Sequence, residues 1–214
     1  MNLIVSDFDG TFYDNNYLQN IEFIENLDDT YDFVIATGRN FESLKKDLKS
    51  KCKYYICNDG GYILNSEGNI IYNNYISDES IKIIYDRIKE LNYDNYFFDF
   101  IDHIDINIDK NINKVAIKIR DNNAQKDMNY ILNNLNDVYG YLSSNWINII
   151  SIESKKENAI ETLLNLNKYN KTYVIGNDIN DYGMLKKYNG YLISSIKKEE
   201  FKTLENFLEL KERL

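Results

Sequence analysis

The chain has 214 residues and a formal net charge of −9, and 43% of its residues are apolar. This length accommodates one large domain, or one domain with a smaller insert, around a sizeable hydrophobic core. The negative charge argues against a nucleic-acid-binding surface, for which a basic patch is the footprint. No apolar run approaches the roughly 18 residues that span a bilayer, and Met1 leads into a strand rather than a signal peptide. Because two cysteines are too few for a disulfide framework, we expect Cys52 and Cys57 to be reduced and the protein to be cytoplasmic, without a membrane or nucleic-acid partner.

The first apolar run ends in two carboxylates, a glycine and a hydroxyl, in the segment Asp7–Thr11. Continuous apolar runs are typical of buried parallel strands, and ligands in open α/β sheets bind at the carboxyl ends of such strands. Asp7 and Asp9 repel each other, so they need a cation or a shared proton, and Mg²⁺ together with a phosphate meets that need. Gly10 permits a turn that brings N–H groups near an anion, and Thr11 adds a hydroxyl. Taken alone, the segment is equally typical of an Asp-rich turn.

The following segments repeat the design of an apolar strand that stops at a small polar loop. The patterns predict a helix over Tyr17–Leu27, a strand over Tyr31–Ala36, a helix over Phe41–Leu48, a strand over Tyr54–Cys57 and a hairpin over 62–72. The second strand ends at Thr37, Gly38 and Arg39, where Thr37 either binds an anion or caps the next helix. The third ends at the loop Asn58–Gly61. This order is typical of a doubly wound parallel sheet.

The pattern changes near Ser77 to that of a small α+β domain. A helix is predicted over Asp78–Leu91, strands over Asn95–Phe100, Asp102–Asp109 and Lys114–Arg120, a second helix over Ala124–Asn136, and a hairpin from Val138–Ser143 and Trp146–Ile152. We therefore predict an inserted domain over 77–152 and a core domain over 1–76 and 153–214. His103 and Trp146 receive no role, although an aromatic side chain over a cleft could shape a substrate pocket.

The chain then returns to the α/β pattern. A helix is predicted from Ser154 to Leu166, strands over Tyr173–Ile175 and Tyr191–Ile193, and a terminal amphipathic helix over Glu199–Leu214 with Phe201, Leu204, Phe207 and Leu208 inward. Lys155 and Lys156 lie in the first turn of the first of these helices, where a solvated pair and a lysine beside Asp7 and Asp9 are both possible. The loop Gly176–Asp181 is a second acidic cluster at a strand end.

Taken together, these loops resemble the motifs of the haloacid dehalogenase (HAD) superfamily of phosphatases, and the insert resembles the C2 cap of its Cof-type branch. Asp7–Thr11 resembles the family's DxDGT motif, and Thr37–Arg39 its second motif. Asn58–Gly61 resembles the Asn-Gly loop of this branch, with Asp59 an extra or shifted residue. Lys156 fits the third-motif lysine, with Lys155 as the alternative. Gly176–Asp181, followed by Met184 and Leu185, resembles the fourth motif.

One position departs from the family pattern. When the fourth motif is aligned on Gly176, Asn180 and Asp181, Asn177 stands where the family has its first aspartate, and Asp178 follows one place later. An amide oxygen carries less charge than a carboxylate but can still bind Mg²⁺. Either Asn177 binds the metal, or a shifted loop lets Asp178 or Asp181 do so.

The resemblance implies a two-step hydrolysis of phosphomonoesters. Asp7 would attack phosphorus to form an aspartyl-phosphate, and Asp9 would serve as general acid and then general base. Mg²⁺ would bind Asp7, the backbone carbonyl of Asp9 and the fourth loop. The implied phosphate or substrate contacts are Thr37, Lys156 and Asn180, with Gly10, Thr11, Gly38, Arg39 and Asn58 beside them. The cap would select the leaving group, and the implied substrates are small phosphorylated metabolites, with sugar phosphates first.

Three alternatives remain open at this point. A phosphomutase of the same superfamily would return the phosphoryl group to the substrate rather than transfer it to water. A phospho-accepting signalling domain also combines acids, Thr and Lys on a doubly wound sheet, but a DxD pair with a lid is not expected there. A phosphate-ligand-binding protein without turnover is the third alternative, because Asn177 replaces an aspartate. The sequence gives no signal for the oligomeric state.

Overall fold

The computed structural model describes residues 1–196 and 198–214, which form two β-sheets with flanking helices. In chain order the elements are β1 (Asn2–Ser6), α1 (Tyr17–Glu25), β2 (Tyr31–Ala36), α2 (Phe41–Asp47), β3 (Tyr54–Cys57), β4 (Tyr62–Asn65), β5 (Ile70–Asn73), α3 (Asp78–Glu90), β6 (Tyr96–Asp99), β7 (Ile104–Asp105), β8 (Lys114–Lys118), α4 (Ala124–Ile131), β9 (Val138–Ser143), β10 (Trp146–Ser151), α5 (Lys156–Leu166), β11 (Thr172–Gly176), α6 (Tyr182–Lys187), β12 (Tyr191–Ile193) and β13 (Lys202–Leu204).

The larger sheet, called the core sheet below, has the strand order β13-β12-β11-β1-β2-β3-β4-β5. All pairings from β13 to β3 are parallel, and β4 and β5 extend the sheet as an antiparallel hairpin. The central strand is buried on both faces: Leu3 and Val5 pack in one apolar cluster and Ile4 in the other. The connections run outward in opposite directions from β1 and β11. The crevice between these two strands is therefore the topological switch point, where α/β sheets bind ligands.

The smaller sheet, called the cap sheet below, is antiparallel with the order β7-β6-β8-β10-β9. One face buries Phe98, Val115, Ile117, Ile147 and Ile149 in a cluster that also contains side chains of α3 and α4. Because side chains alternate between the faces of a strand, the intervening residues point to the other face. The fold therefore confirms the predicted α/β core sheet with a separate α+β unit, while the domain boundaries near residues 77 and 152 stay a prediction.

The predicted terminal helix over Glu199–Leu214 is wrong. The chain instead forms β13, which pairs in parallel with β12, and then a 3-10 turn over Phe207–Glu212. An edge strand such as β12 presents unpaired backbone groups, and this short segment covers them. The Asn206 side chain accepts the Leu208 N–H and so begins the turn. Leu204 and Phe207 are buried as predicted, because the apolar spacing is satisfied by a strand followed by a turn.

Two predicted elements are shorter than expected. The helix that begins at Ala124 ends at Ile131, and Asn134 beyond it has a left-handed φ of 62°. The predicted strand over Asp102–Asp109 is reduced to Ile104–Asp105, because the Asp105 carboxylate accepts the Asn107 N–H and turns the chain. Both cysteines are buried free thiols, as predicted. None of the helices in the part of the chain that the structure describes is long and apolar enough to cross a membrane.

Candidate active site

A buried lysine joins two carboxylates at the switch point of the core sheet. Asp7 follows β1, Asp181 lies in the loop after β11, and Lys156 begins α5. The Lys156 Nζ donates to Asp7 Oδ1 and to Asp181 Oδ1, both at 2.7 Å. Lys156 is 1% exposed although it is charged. Lys155, by contrast, places its ammonium over the Tyr139 ring, 4.6 Å from the ring centre. The structure thus brings Lys156, and not Lys155, against Asp7.

Burial and charge determine the protonation of this cluster. Burial is the main cause that raises the pKa of Asp7 to about 8; Asp181 adds to the rise, and Lys156 opposes it. Burial alone would lower the pKa of Lys156, but the carboxylates of Asp181, Asp7 and Asp59 raise it above its usual value. The raised pKa means that Asp7 holds a proton more readily than an exposed aspartate does, because Asp7 and Asp181 share a single ammonium. A further cation at Asp7 would favour its ionised form.

Asp9 has a cation partner of its own. Its side chain is 51% exposed and accepts two hydrogen bonds from Arg39, from Nε at 2.8 Å and from Nη2 at 2.5 Å. The Arg39 Nη1 donates to Asp47 at 2.6 Å, and the guanidinium lies over the Phe8 ring, 5.2 Å from its centre. Burial would lower the pKa of Arg39, but its pairs with Asp9 and Asp47 raise it. Asp7 and Asp9 therefore have different cation partners, Lys156 and Arg39.

The smaller polar residues of the first three loops are buried beside these acids. The Thr37 hydroxyl accepts the Arg39 N–H at 3.1 Å. The hydroxyl of Thr11 and both side-chain polar atoms of Asn58 are buried without a hydrogen-bond partner among the described residues. Gly10 has a φ of 76°, and a Cβ there would lie 2.4 Å from the Asn177 Nδ2. This close approach requires glycine and brings the first and fourth loops together.

The three candidate metal ligands of the fourth loop, Asn177, Asp178 and Asp181, lie in different environments. Both oxygens of Asp181 have partners, because Oδ1 accepts from Lys156 and Oδ2 accepts the N–H groups of Asn177 and Asp178. The Asp178 carboxylate accepts from the Ser143 hydroxyl and the Ile179 N–H. The Asn177 Oδ1, however, is buried without a partner among the described residues. This oxygen is therefore free to bind a metal ion.

These oxygen donors fit a magnesium ion. The described residues contain no group of three or more His, Cys, Asp or Glu side chains suited to a metal. Mg²⁺ needs no such group, because it binds through one or two carboxylates and completes its shell with water and phosphate oxygens. The Asp7 carboxylate and the unpartnered Asn177 oxygen are donors of this kind.

The sequence was compared with known families and structures. The family model of haloacid dehalogenase-like hydrolases matches residues 4–101 and 88–199, which together span nearly the whole chain. The chain belongs to the haloacid dehalogenase-like hydrolases. This confirms the predicted superfamily and the prediction of a HAD-type hydrolase. The comparison with curated proteins gives no match.

Solved structures share the fold over the full length. A haloacid dehalogenase-like hydrolase from B. subtilis has a TM-score of 0.84 at 14% identity, with 100% of each chain covered. A haloalkanoate superfamily phosphatase from Bacteroides thetaiotaomicron has a TM-score of 0.79 at 13% identity, with 99% of this chain and 94% of that chain covered. A sugar phosphatase of HAD subclass IIB has a TM-score of 0.72 at 16% identity, with 94% and 90% covered.

The cleft of this HAD-like hydrolase lies between the two sheets and has a volume of about 520 Å³. The core sheet contributes Asp7, Asp9, Gly38, Arg39, Asn177, Asp178 and Asn180 to its lining. The open face of the cap sheet contributes Phe97, Asp99, Lys114, Ala116, Tyr141, Trp146 and Asn148. No role was predicted for these cap residues from the sequence. Val115 and Ile117 alternate with Lys114, Ala116 and Lys118, which is typical of a two-faced strand, but this alternation does not indicate that the polar face meets the site.

Asp59, in the loop after β3, also had no role predicted from the sequence. It is 2% exposed, and its carboxylate accepts from Lys114 Nζ at 2.8 Å, Tyr141 Oη at 2.5 Å and Asn180 Nδ2 at 2.8 Å. Burial would raise the pKa of Asp59, but Lys114 and then Lys156 hold it below its ordinary range. The loop after β3 thus carries a buried, ionised carboxylate whose partners come from both sheets.

Proposed function

We propose that this hydrolase is a Mg²⁺-dependent phosphatase that acts on small phosphorylated metabolites, with Asp7 as nucleophile. The observation that carries the proposal is the placement of the Asp7 carboxylate. It lies at the carboxyl end of the central strand, faces the cleft, and is held at 2.7 Å by a buried lysine. A carboxylate at this position can form a covalent intermediate with a phosphoryl group that enters the cleft.

The proposed reaction has two steps. An oxygen of Asp7 forms a bond to phosphorus while the bond from phosphorus to the leaving oxygen breaks, and Asp9 gives that oxygen a proton. Asp9 then takes a proton from water, whose oxygen attacks phosphorus and releases Asp7 and inorganic phosphate. Arg39 donates to both carboxylate oxygens of Asp9, so we expect proton transfer by Asp9 to require that bound substrate draw the guanidinium away.

The remaining residues would hold the phosphoryl group. Phosphoryl transfer depends mostly on positioning and on donors that offset charge, and Lys156, Asn180 and Thr37 are the proposed donors. Mg²⁺ bound by Asp7, Asn177 and the backbone carbonyl of Asp9, with Asp178 beside them, would offset the repulsion between the carboxylate and the phosphate oxygens. Because both oxygens of Asp181 are engaged, we leave Asp181 out of this ligand set and assign it the orientation of Lys156.

The cap sheet would select the leaving group, and we propose sugar phosphates as the first class to test. The cleft has the volume of a small-molecule site. Its cap side combines the aromatic rings of Phe97 and Trp146 with the polar side chains of Asp99 and Asn148. Aromatic rings pack against the apolar face of a sugar ring, and polar side chains bind its hydroxyl groups. The sugar phosphatase among the structural relatives supports the same choice.

The proposal is tested by phosphate release from p-nitrophenyl phosphate and from a panel of sugar phosphates, with Mg²⁺ and with EDTA. We expect release with Mg²⁺ and its loss with EDTA. Conversion of a sugar phosphate to an isomer without phosphate release would identify a phosphomutase instead. If no substrate is turned over but inorganic phosphate binds, the protein is a phosphate-ligand-binding member of the family, and the proposed hydrolysis is wrong.

A further inference from the structure

The Asp59 carboxylate joins parts of the chain that are far apart in sequence. Lys114 belongs to β8 and Tyr141 to β9, so both come from the cap sheet, whereas Asn180 comes from the loop after β11 in the core. The Lys114 ammonium also donates to the Gly38 carbonyl oxygen at 3.0 Å, in the loop after β2. One carboxylate therefore connects two strands of the cap sheet with two loops at the catalytic edge of the core sheet.

The backbone at Asp59 is shaped for this contact. Asp59 has a φ of 57°, a left-handed conformation that only a few non-glycine residues adopt. Its N–H donates to the Thr37 carbonyl oxygen at 3.0 Å, so the loop that carries Asp59 is bonded to the loop that carries Thr37. A strained, buried and charged position persists only when its surroundings determine it, and such positions are concentrated at functional sites.

The cluster differs in charge from two other hydrogen-bonded contacts between the cap and the core. The Asn40 Nδ2 donates to Asp99 at 3.0 Å, and the Ser143 hydroxyl donates to Asp178, and each of these contacts lacks a cation. Lys114 and Asp59 form an ion pair whose side chains are 7% and 2% exposed. Removal of one partner of such a pair leaves an uncompensated buried charge and is strongly destabilising.

We infer that Asp59 is a positioning residue that fastens the cap sheet to the core and orients Asn180 toward the phosphoryl group when Lys114 and Tyr141 are docked. The inference rests on the proposed function only in treating Asn180 as a phosphate-binding residue. Asn180 lines the cleft and donates one N–H of its amide to Asp59, so the direction of its side chain depends on that carboxylate. Asp59 thereby links the placement of the cap to the binding of phosphate.

The mildest test is Tyr141→Phe, which removes one donor to Asp59 and no charge. We expect a folded protein whose kcat falls about tenfold, because small misplacements of a binding group have effects of this size. Asp59→Asn and Lys114→Met are expected to lower the melting temperature as well, because each leaves a buried charge without its ion-pair partner.

The decisive variant combines Asp59→Asn with Lys114→Met, because it removes both charges together. We expect the melting temperature to return toward that of the wild type, while kcat stays about 10- to 100-fold low and the affinity for inorganic phosphate stays about tenfold weaker. Full recovery of kcat and phosphate affinity along with stability would overturn the inference and leave a structural ion pair only. The matched control removes the exposed ion pair between Lys187 and Glu161 by combining Lys187→Met with Glu161→Gln. This control should change neither kcat nor the affinity for inorganic phosphate.

The docking of the cap on the core can be measured by fluorescence, without any turnover of substrate. Trp146 is the single tryptophan of the chain and lines the cleft from the cap sheet, so its fluorescence reports access to the cleft. We expect acrylamide to quench Trp146 about twofold more strongly in the Asp59 variants than in the wild type, because their cap is less firmly docked. Unchanged quenching would contradict the fastening. If the wild type releases no phosphate but quenching and phosphate binding respond as expected, the proposed hydrolysis fails and this inference stands.

Discussion

The two sheets of the molecule present their polar groups in different ways. The core sheet presents them at the carboxyl ends of its strands, called the core edge below, where Asp7, Thr37, Asn58 and Asn177 each follow the end of a strand. The cap sheet presents them on its open face, where alternate residues of neighbouring strands form one surface. A residue at a strand end is positioned by the buried strand before it, whereas a residue on the open face of the cap sheet alternates with the apolar residues that pack in the cap core.

Because of this difference, we expect substitutions in the two sheets to have different effects on the reaction. Groups at the core edge are held rigidly by buried strands, and we therefore expect substitutions there to affect the chemical step. In the proposed function the cap face contacts the leaving group, so we expect substitutions there, outside the Asp59 cluster, to affect mainly KM. The Asp59 cluster connects the two groups of residues, because Asp59 accepts hydrogen bonds from Lys114 and Tyr141 on the cap face and from Asn180 at the core edge.

The largest expected effect is at the core edge. Asp7→Asn keeps the size of the side chain but removes the nucleophile, so we expect phosphate release to fall by at least about a thousandfold. The matched control is Asp14→Asn, an identical change in the same loop, whose carboxylate accepts from Asn16 and Asn20 rather than facing the cleft. Activity of Asp7→Asn comparable to that of Asp14→Asn would show that the reaction does not use Asp7.

The next effect separates the two neighbouring lysines. Lys156→Met leaves the carboxylates of Asp7 and Asp181 buried without their shared cation, so we expect a loss of about 3 to 5 kcal/mol in the free energy of unfolding, together with loss of activity. Lys155→Met should cost less than about 1 kcal/mol, because its contact with Tyr139 is at the surface of the site. Urea denaturation of both variants measures the difference, and equal losses would refute the distinction.

A pH-dependent effect is expected on the cap face. Burial is the main cause that raises the pKa of Asp99 to about 6, against the opposing influence of Lys114 and of the hydrogen bond from Asn40. The folded protein therefore holds a proton that the unfolded chain has already released, and its free energy of unfolding falls as the pH rises from about 4 to 6. Asp99→Asn lacks this loss, so its stability relative to the wild type should rise by about 1 to 3 kcal/mol across that range.

Urea denaturation curves of the two proteins at several pH values measure this difference. The control is Asp94→Asn, which changes an exposed carboxyl of the same unit. If the stability of Asp99→Asn and of the wild type changed in parallel between pH 4 and pH 6, burial of a protonated Asp99 would be disproved.

The smallest expected effect tests the selection of the leaving group. Trp146→Ala removes an aromatic wall of the cleft, so we expect KM for sugar phosphates to rise about tenfold with little change in kcat. Trp146→Phe should retain most of the affinity, and inorganic phosphate should bind all three proteins equally. An effect on kcat rather than KM would place Trp146 with the reacting groups. It would contradict the expectation that cap-face residues affect KM and core-edge residues affect the chemical step.

The same difference explains what the sequence could and could not predict. A buried parallel strand appears in the sequence as an apolar run, and its polar loop follows immediately, so Asp7, Thr37 and the fourth loop stand out along the chain. The cap-face residues are single positions between apolar ones, and they lie on four strands distributed between Tyr96 and Ser151. Which of their two faces meets the site depends on tertiary packing, and Lys114, Tyr141 and Asp99 were therefore missed.

The errors in the fold have a related cause. The spacing of Leu204 and Phe207 fits an amphipathic helix, but it fits a strand followed by a 3-10 turn equally well. The unpaired edge of β12 decides between them, and this edge exists only once the sheet is assembled. The role of Asp59 was equally hidden, because its partners lie 55, 82 and 121 residues away along the chain.

The most direct test of the proposed chemistry is to locate the covalent phosphate. Wild-type protein is mixed with substrate and Mg²⁺, quenched with acid, and treated with borohydride, which reduces an aspartyl-phosphate to homoserine. Peptide mass spectrometry should then find homoserine at position 7, and none in Asp7→Asn. Homoserine at another aspartate, or rapid phosphate release with no reducible intermediate, would contradict nucleophilic catalysis by Asp7.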